Sequence, residues 1–458
     1  MCSFPIDPCN RPSNSELERR RTDVFEAAPA LSPTRLWARV ALPFRMIAKV
    51  ARPSPRGAKN LPISEEARWG QRAPSLLLSL AAALAVATPE TASEAYQTQG
   101  VVKNLPVFAE QLKARIDHPL SWTSGRFTDF DAWREAARAK MFTSLLAQPP
   151  AVPWDAVTLA EEDRGTHVAR KIVFNLTGDS RVLAYMTVPK GAGPFPAVLL
   201  LHDHGAKFDI GKEKMIRPWA IAQEKIDSAI LWAEQNYGGR FVGDELARRG
   251  YVCFSTDALN WSDRGGGGYD GQQQLASNLM HLGMSQAGLM AWEDLRAAEF
   301  LAAQTTVDAD RIAAMGWSMG AFRAWQVAAL SDRVGAAVAV AWMCTVNELM
   351  VPGNNQTRGS SAYNMLHPGL LDDLDFPDVA SIACPKPAMF FNGLQDHLFP
   401  VHGVEAAYAR MRAVWNSQDA GDRLVTKLWD TPHTFNAAMQ DEAFAWLDAE
   451  LDRPGSPK

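Results

Sequence analysis

The chain has 458 residues, 47% of them hydrophobic, and a formal net charge of −5. This length allows a large buried core, either in one large domain with extensions or in two domains. Residues 1–72 carry 13 Lys and Arg against 7 Asp and Glu, a charge of +6, so the remainder of the chain carries −11. Because this main part of the chain is acidic, it lacks the basic surface that binds the phosphates of nucleic acids. We therefore expect no nucleic-acid partner.

The cysteines are few and scattered. They stand at positions 2, 9, 253, 344 and 384, and none belongs to a Cys-x-x-Cys pair. An odd number without regular spacing predicts no essential disulfide and no structural metal site.

Residues 1–95 contain two segments of unusual composition. Residues 1–70 are rich in Arg, Pro and Ser, which predicts disorder or a translation start further downstream. Residues 71–95 are typical of a secretory signal peptide, with a basic residue, an apolar run of about a dozen residues and small residues after it. The run is too short to span a bilayer. We therefore expect a periplasmic or secreted protein; the alternative is an ordinary Ala/Leu helix in a cytoplasmic protein.

Residues 96–150 are predicted to form a helical N-terminal extension. Residues 129–142 carry apolar side chains at helical spacing, and Pro149-Pro150 is a strong helix breaker. We expect this helix to pack against the domain that follows it.

Residues 151–453 are predicted to form one catalytic domain. An alternating segment, 167–174, is followed by a Gly-Asp-Ser turn and by a second segment, 181–189, which together predict an antiparallel strand pair. Short apolar runs separated by helical stretches follow, which is typical of a doubly wound, mostly parallel sheet in an α/β domain. These runs cover residues 196–201, 251–256, 311–315, 336–342, 387–391 and 424–429.

A Gly-Trp-Ser-Met-Gly motif occupies residues 316–320, between one of these apolar runs and a helical stretch at 321–330. A strand that turns sharply into a helix exposes the central hydroxyl, and glycines two residues away on each side avoid steric collision. The N-terminal end of the helix, with its positive dipole and free amides, then faces any negatively charged intermediate that forms on that hydroxyl. Ser318 is therefore the predicted nucleophile; the alternative is a glycine-flanked serine in an ordinary loop.

A serine nucleophile needs a base, and the base needs an orienting acid. Asp396 follows the predicted strand 387–391, and His433 follows the predicted strand 424–429, so both belong to loops at the carboxyl ends of strands. We predict Asp396 as the acid and His433 as the base. The competing candidates are the aspartates between 372 and 378 and two histidines, His397 and His402.

The oxyanion of a tetrahedral intermediate needs two backbone amides. The amide of Met319 is one predicted donor. The other is predicted to come from the His-Asp-His-Gly segment 202–205, with the amide of His204 preferred and that of Gly205 next. A metal site at His202 and His204 is the alternative, and it lacks a third group of ligands.

The candidates for the substrate pocket lie in an insertion and at three tryptophans. A charged and aromatic insertion at about 207–239 is expected to lie above the site, where Lys212 would contact an anionic substrate; the alternative for Lys212 and Lys214 is a solvated charged turn. Trp261, Trp317 and Trp342 are predicted to stack on sugar rings, or else to belong to the core. The glycine run 265–268 is interpreted as a flexible loop at the pocket rim, not as a phosphate loop that opens a helix.

The segments 202–205, 316–320, 392–396 and 432–435 together resemble the dienelactone-hydrolase and acetyl-xylan-esterase-like branch of the α/β-hydrolase superfamily. The resemblance covers about residues 155–451. It implies an α/β-hydrolase fold and a Ser-His-Asp hydrolase of carboxylic esters that works without a cofactor, often on acylated carbohydrates. The expected partner is a small-molecule or oligosaccharide ester. The alternatives are a serine peptidase of the same fold and a non-catalytic binding protein on a hydrolase scaffold.

Overall fold

The computed structural model describes residues 100–354 and 360–451. The predicted disordered segment 1–70 and the predicted signal peptide 71–95 lie outside these residues. Within the described part of the chain, no helix is both long and apolar enough to cross a membrane.

The described strands form a short hairpin and one large sheet. The hairpin pairs β1 (Val101–Val102) with β2 (Leu105–Pro106). The strands of the large sheet are β3 (Val157–Asp163), β4 (His167–Thr177), β5 (Ser180–Pro189), β6 (Phe195–Leu201), β7 (Val252–Thr256), β8 (Val307–Trp317), β9 (Ala336–Val340), β10 (Ala388–Gly393) and β11 (Leu424–Trp429).

The large sheet has the spatial order β11-β10-β9-β8-β6-β7-β5-β4-β3. Neighbouring strands from β7 across to β11 are parallel, whereas β3, β4 and β5 pair in antiparallel fashion and β5 joins β7. This arrangement confirms the predicted doubly wound, mostly parallel sheet with an antiparallel start. It also brings the carboxyl ends of β6, β8, β10 and β11 to the same edge, where catalytic groups are expected.

Helices cover both faces of this sheet. The described helices are α1 (Ala109–Lys113), α2 (Phe130–Ser144), α3 (Gln223–Asn236), α4 (Val242–Arg248), α5 (Gly268–His281), α6 (Gln286–Ala302), α7 (Met319–Leu330), α8 (Val346–Leu349), α9 (Phe376–Ser381), α10 (Val401–Ser417) and α11 (Ala437–Leu451). One face of the sheet packs against α2, α6, α7, α9 and α10, and the other against α4 and α11. Both faces are apolar, since Leu199 and Leu201 of β6 belong to the first core and the alternate residues Val198 and Leu200 belong to the second.

Short 3-10 turns complete the described secondary structure. They lie at Trp122–Ser124, Lys212–Lys214, Ser262–Arg264, Ser360–Met365 and Gly421–Arg423.

The N-terminal extension is only partly helical, because the hairpin β1–β2 precedes α1. Its main helix, α2, begins where the Asp129 carboxylate accepts a hydrogen bond from the amide of Ala132. Trp133 of α2 is fully buried in the core. The helix ends at Ser144, before the Pro149-Pro150 pair, so the prolines do not terminate it directly.

Two local features differ from the predictions. The edge strand β3 was not predicted. Most of its side chains are exposed, so its sequence has no alternating apolar pattern. The glycine run at 265–268 does lead into a helix, since α5 begins at Gly268. The expectation that the run does not open a helix is therefore wrong, and its interpretation as a flexible loop at the pocket rim stays a prediction.

Candidate active site

The turn between β8 and α7 holds Ser318 in an unusual backbone conformation. Its φ of 57° and ψ of −126° lie in a region that non-glycine residues seldom adopt. A Cβ on Gly316 would lie 2.2 Å from the carbonyl carbon of Gly320, and a Cβ on Gly320 would lie 1.9 Å from the carbonyl oxygen of Leu201. Both glycines are therefore required by packing, and the turn rests directly on the end of β6.

Ser318, His433 and Asp396 form one chain of hydrogen bonds. Nε2 of His433 lies 2.9 Å from Oγ of Ser318, and Nδ1 of His433 lies 2.6 Å from Oδ2 of Asp396. The other carboxylate oxygen of Asp396 accepts the amide of Leu398 at 2.9 Å, which fixes the carboxylate plane. Asp396 is 4% exposed, whereas Ser318 and His433 remain accessible. The structure thus brings together the three predicted groups, one from each of three strand ends.

Two of the four competing aspartates have another role in the structure. Asp375 and Asp378 form a capping box at the start of α9, with the Asp375 side chain bonded to the amides of Phe376 and Val346. Arg410 also contacts both carboxylates. These aspartates organise a helix terminus and do not contact His433.

The two predicted amide donors lie on adjoining segments. Met319 is the first residue of α7, and His204 lies in the loop that follows β6. Within the described residues, neither amide donates a hydrogen bond to a protein acceptor. The contact between Gly320 and Leu201 holds the two segments against each other.

Ser318 opens into a pocket of about 290 Å³. Trp317 and Trp342 line it, although each is only 2% exposed and belongs to a hydrophobic core, so the core alternative also fits them. Trp232 and Asn236 of α3 bring the insertion 207–239 to the pocket wall. Among the described lining residues, the only ionisable side chains are those of His204, His433 and Tyr269. The other lining residues are Gly205, Ala206, Met319, Ser361, Asn364, Met365 and Leu398.

A family model for the Abhydrolase family matches residues 82–418, which is most of the chain. The chain belongs to the Abhydrolase family. A curated relative in Bacillus subtilis (strain 168), named "Putative hydrolase YtaP", is 27% identical over 319 residues, covering 69% of this chain and 100% of the relative. Membership in the family confirms the predicted α/β-hydrolase superfamily and identifies the protein as a hydrolase.

Solved structures confirm the Abhydrolase fold. A "putative acetyl xylan esterase" from Bacteroides fragilis NCTC 9343 aligns with a TM-score of 0.57 at 17% identity, covering 70% of this chain and 81% of the other. A glucuronoyl esterase from Solibacter usitatus aligns with a TM-score of 0.53 at 14% identity, covering 74% and 99%. At these identities the likeness concerns the fold.

Lys212 of this Abhydrolase member does not reach the pocket. Its side chain is fully buried, and its ammonium lies 2.6 Å from Asp263, 2.8 Å from Asp257 and 2.9 Å from Glu213. Burial alone would lower the pKa of Lys212, but the three carboxylates outweigh it and raise that pKa above its ordinary value. The prediction that Lys212 contacts an anionic substrate is wrong, and so is the alternative of a solvated turn.

Lys214 is also fully buried, and it contacts the loop that carries His204. Its Nζ lies 2.8 Å from the carbonyl oxygen of Asp203, 3.1 Å from that of His204 and 3.3 Å from Oδ1 of Asp203. The carboxylate of Asp203 accepts further hydrogen bonds from Trp232 at 3.1 Å and Tyr237 at 2.9 Å. The sequence prediction missed this cluster; the apolar residues around the Lys-Glu-Lys segment were the available signal that it is buried.

Trp261 supports the same loop and does not line the Ser318 pocket. It is fully buried, its ring stacks on Phe208, and its Nε1 donates to the carbonyl of His204 at 3.3 Å. The prediction that Trp261 stacks on a sugar ring is therefore wrong; the core alternative fits its position.

Hydrogen bonds occupy the ring nitrogens of both loop histidines. Nε2 of His202 accepts the amide of Ala258, so its Nδ1 donates to the carbonyl of Asp203. Nδ1 of His204 accepts the amide of Ala206, so its Nε2 donates to Gln272. Each ring is thus held as a neutral tautomer, and no ring nitrogen is left for a metal.

Burial is also the main influence on the pKa of each loop histidine. It lowers the pKa of His202 well below the ordinary value and that of His204 to about 4. The described residues contain no cluster of three or more metal-binding side chains.

A second, apolar pocket of about 530 Å³ adjoins the first. Trp342 and Met365 line both pockets. Its other walls are mostly aliphatic and aromatic, from Leu105, Val346, Leu349, Leu366, Leu370 and Phe376 among others. The two pockets therefore meet at these two side chains.

Proposed function

We propose that the protein is a serine hydrolase that cleaves carboxylic esters through an acyl-enzyme. The observation that carries the proposal is the hydrogen-bond chain from Asp396 through His433 to the Oγ of Ser318. Such a chain lets the imidazole remove the hydroxyl proton as the oxygen attacks a carbonyl carbon. The non-catalytic alternative is disfavoured, since a scaffold protein has no need of this geometry.

The mechanism has two steps. In the first, His433 takes the proton of Ser318, the serine oxygen attacks the ester carbonyl, and His433 then protonates the leaving alcohol. In the second, His433 activates a water molecule, which releases the acid and restores the serine. Asp396 holds the Nδ1 proton of His433 throughout, so that Nε2 faces the serine. The amides of Met319 and His204 are the proposed donors to the tetrahedral oxyanion.

The pocket favours an uncharged ester with a hydroxylated alcohol. No Lys, Arg, Asp or Glu is among its described lining residues, which disfavours an anionic substrate. The ring of Tyr269, which is 41% exposed, offers a stacking face, whereas Trp317 and Trp342 reach the pocket wall from the cores and are each only 2% exposed. Asn364 lines the pocket, and its buried Oδ1 has no hydrogen-bond partner among the described residues; we assign it as an acceptor for a substrate hydroxyl. These features support an acylated or esterified carbohydrate, the substrate class named for the similar folds.

The test begins with the nucleophile. We expect the wild-type protein to hydrolyse p-nitrophenyl acetate and to be labelled by a fluorophosphonate, and Ser318→Ala to lose both reactions while its circular dichroism spectrum is unchanged. Wild-type turnover in Ser318→Ala would refute the proposal.

The substrate class requires a panel of esters. Acetylated oligosaccharides, uronate methyl esters and aryl esters of short and long acids would be compared by kcat/KM. We expect the carbohydrate esters to be preferred; a preference for long-chain aryl esters would instead assign the substrate to the apolar pocket.

A further inference from the structure

The loop after β6 presents two peptide units whose carbonyls are held by buried donors. The carbonyl oxygen of Asp203 accepts from Nζ of Lys214 at 2.8 Å and from Nδ1 of His202 at 2.9 Å. The carbonyl oxygen of His204 accepts from Lys214 at 3.1 Å and from Nε1 of Trp261 at 3.3 Å. Among the residues that the structure describes, Lys214 is therefore the one side chain that bridges both carbonyls.

Each of these carbonyls belongs to the same planar peptide unit as an amide that is a candidate hydrogen-bond donor to the oxyanion. The carbonyl of Asp203 is joined to the amide of His204, and the carbonyl of His204 to the amide of Gly205. In a trans peptide the N–H points away from the C=O, so a group that fixes the oxygen also fixes the direction of the N–H. A cation at the oxygen draws electron density from the nitrogen and strengthens the N–H as a donor.

Lys214 has the contacts of an ammonium group. Its three N–H bonds match three acceptors, the two carbonyls and Oδ1 of Asp203, which lies 3.3 Å away. Burial lowers the pKa of Lys214, and the nearby Asp203 carboxylate opposes this effect. That carboxylate is itself fixed by Trp232 and Tyr237, so the cation and its counter-ion are held in place together.

We propose that Lys214 is a positioning residue of the oxyanion hole, whose ammonium orients and polarises the peptide units that carry the amides of His204 and Gly205. The proposal rests on the proposed function, because it needs an oxyanion to form on the acyl carbon attacked by Ser318. Lys212, only two residues away, contacts carboxylates and no carbonyl of this loop.

The main test is Lys214→Met, which removes the ammonium and keeps the aliphatic stem. We expect kcat for p-nitrophenyl acetate to fall by about 10- to 100-fold, less than the about 100- to 1,000-fold typical of losing a whole donor, while KM changes by less than about threefold. The inhibition constant of a trifluoromethyl ketone, which forms a tetrahedral oxyanion on Ser318, should rise by the same factor as kcat falls. That of acetate, the product, should not change.

The matched control is Lys386→Met. Lys386 also donates from a partly buried position to two backbone carbonyls, those of Ala328 at 2.8 Å and Ser331 at 2.7 Å, and it does not line the Ser318 pocket. We expect this variant to lose stability and to keep the wild-type kcat and the wild-type affinity for the ketone.

The outcomes separate this proposal from the proposed function. If the wild-type protein reacts with neither ester nor fluorophosphonate, both proposals fail. If it reacts and Lys214→Met binds the ketone like the wild type, only the role of Lys214 fails. Should Lys214→Met not fold, Lys214→Gln, which keeps two N–H donors without the charge, should show a loss of kcat of at least about fivefold at constant KM. Loss of folding in both variants, with Lys386→Met folded, would mark Lys214 as structural and refute the proposal.

Discussion

The two sides of the Ser318 pocket use ionisable groups in opposite ways. The elbow side is formed by residues 316–320 with Asp396 and His433. One chain of hydrogen bonds links its three polar groups, and two of them, Ser318 and His433, are accessible. On the loop side, formed by residues 202–214 and 257–263, Lys212, Lys214 and Asp257 are almost fully buried. In the proposed mechanism, the first side moves a proton. The second is built to keep its charges fixed.

The largest expected effect comes from the acid of the elbow side. In Asp396→Asn, the amide would donate to Nδ1 of His433 and place the imidazole proton on Nε2, which faces Ser318. We expect kcat to fall by about 10,000-fold with little change in stability, measured by ester turnover and thermal unfolding.

Asp430→Asn is the matched control for that substitution. Asp430 is exposed and follows β11 directly, where its carboxylate accepts from Gln395 at 2.9 Å. We expect wild-type turnover in this variant. A small loss in Asp396→Asn, comparable with that in Asp430→Asn, would show that the elbow side does not depend on this carboxylate.

Gly320→Ala tests whether the two sides must touch. The added methyl would overlap the carbonyl oxygen of Leu201, at the end of β6, and would push the loop away from Ser318. We expect turnover to fall by about 100-fold or more and the free energy of unfolding to fall by about 1–3 kcal/mol.

Gly335→Ala provides the control, because its Cβ would lie 3.7 Å from the carbonyl oxygen of Ile312, an ordinary contact. Turnover and chemical denaturation would be measured on both variants. Equal behaviour of the two would contradict a required contact at Gly320.

The neutral histidines of the loop side predict a pH dependence of stability. Folding lowers the pKa of His204 from 6.5 to about 4, so the unfolded chain binds its proton first as the pH falls. The stability that this group contributes is present above pH 6.5 and is lost progressively between pH 6.5 and about 4.

His204→Asn should remove that contribution. We expect the slope of the free energy of unfolding against pH in this window to become smaller by up to about 1.4 kcal/mol per pH unit, measured by urea denaturation. His281→Asn, on an exposed histidine at the end of α5, controls for the loss of a histidine. An unchanged slope in His204→Asn would contradict the assignment of a neutral, buried ring.

The smallest expected effect concerns the pocket between the two sides. Asn364→Leu removes the buried acceptor that we assign to a substrate hydroxyl. KM for an acetylated oligosaccharide should rise by about tenfold, while that for p-nitrophenyl acetate, which has no such hydroxyl, should stay the same. An equal change for both substrates would show that Asn364 acts through packing.

The elbow side could be predicted from sequence because its signals are local. A glycine-flanked serine between a strand and a helix, and an acid and a base at the ends of later strands, can each be found within a few residues. The strand β3 could not be found this way, because an exposed edge strand carries no alternating apolar pattern.

On the loop side, the apolar residues around the Lys-Glu-Lys segment indicate burial, but the partners of the buried charges could not be predicted because they are distant in sequence. The buried ammonium of Lys212 pairs with Asp257 and Asp263, which come from the loop after β7, 45 and 51 residues later. From the sequence, the Lys-Glu-Lys segment has the same composition as a solvated turn, and the error in assigning Lys212 to the substrate follows from that. Asp203 and Tyr237 were missed for the same reason, since they meet only in the folded chain.

The burial of Lys214 and Asp203 has a consequence for the response to ionic strength. Dissolved salt at about 1 M screens charges in solution over about 3 Å, but mobile ions do not enter a site from which water is excluded. Both side chains are fully buried, so their mutual attraction and the hold of the lysine on the loop are insulated from the solvent. A hydrolase whose loop is fixed in this way should keep its turnover of an uncharged ester from dilute buffer to high salt.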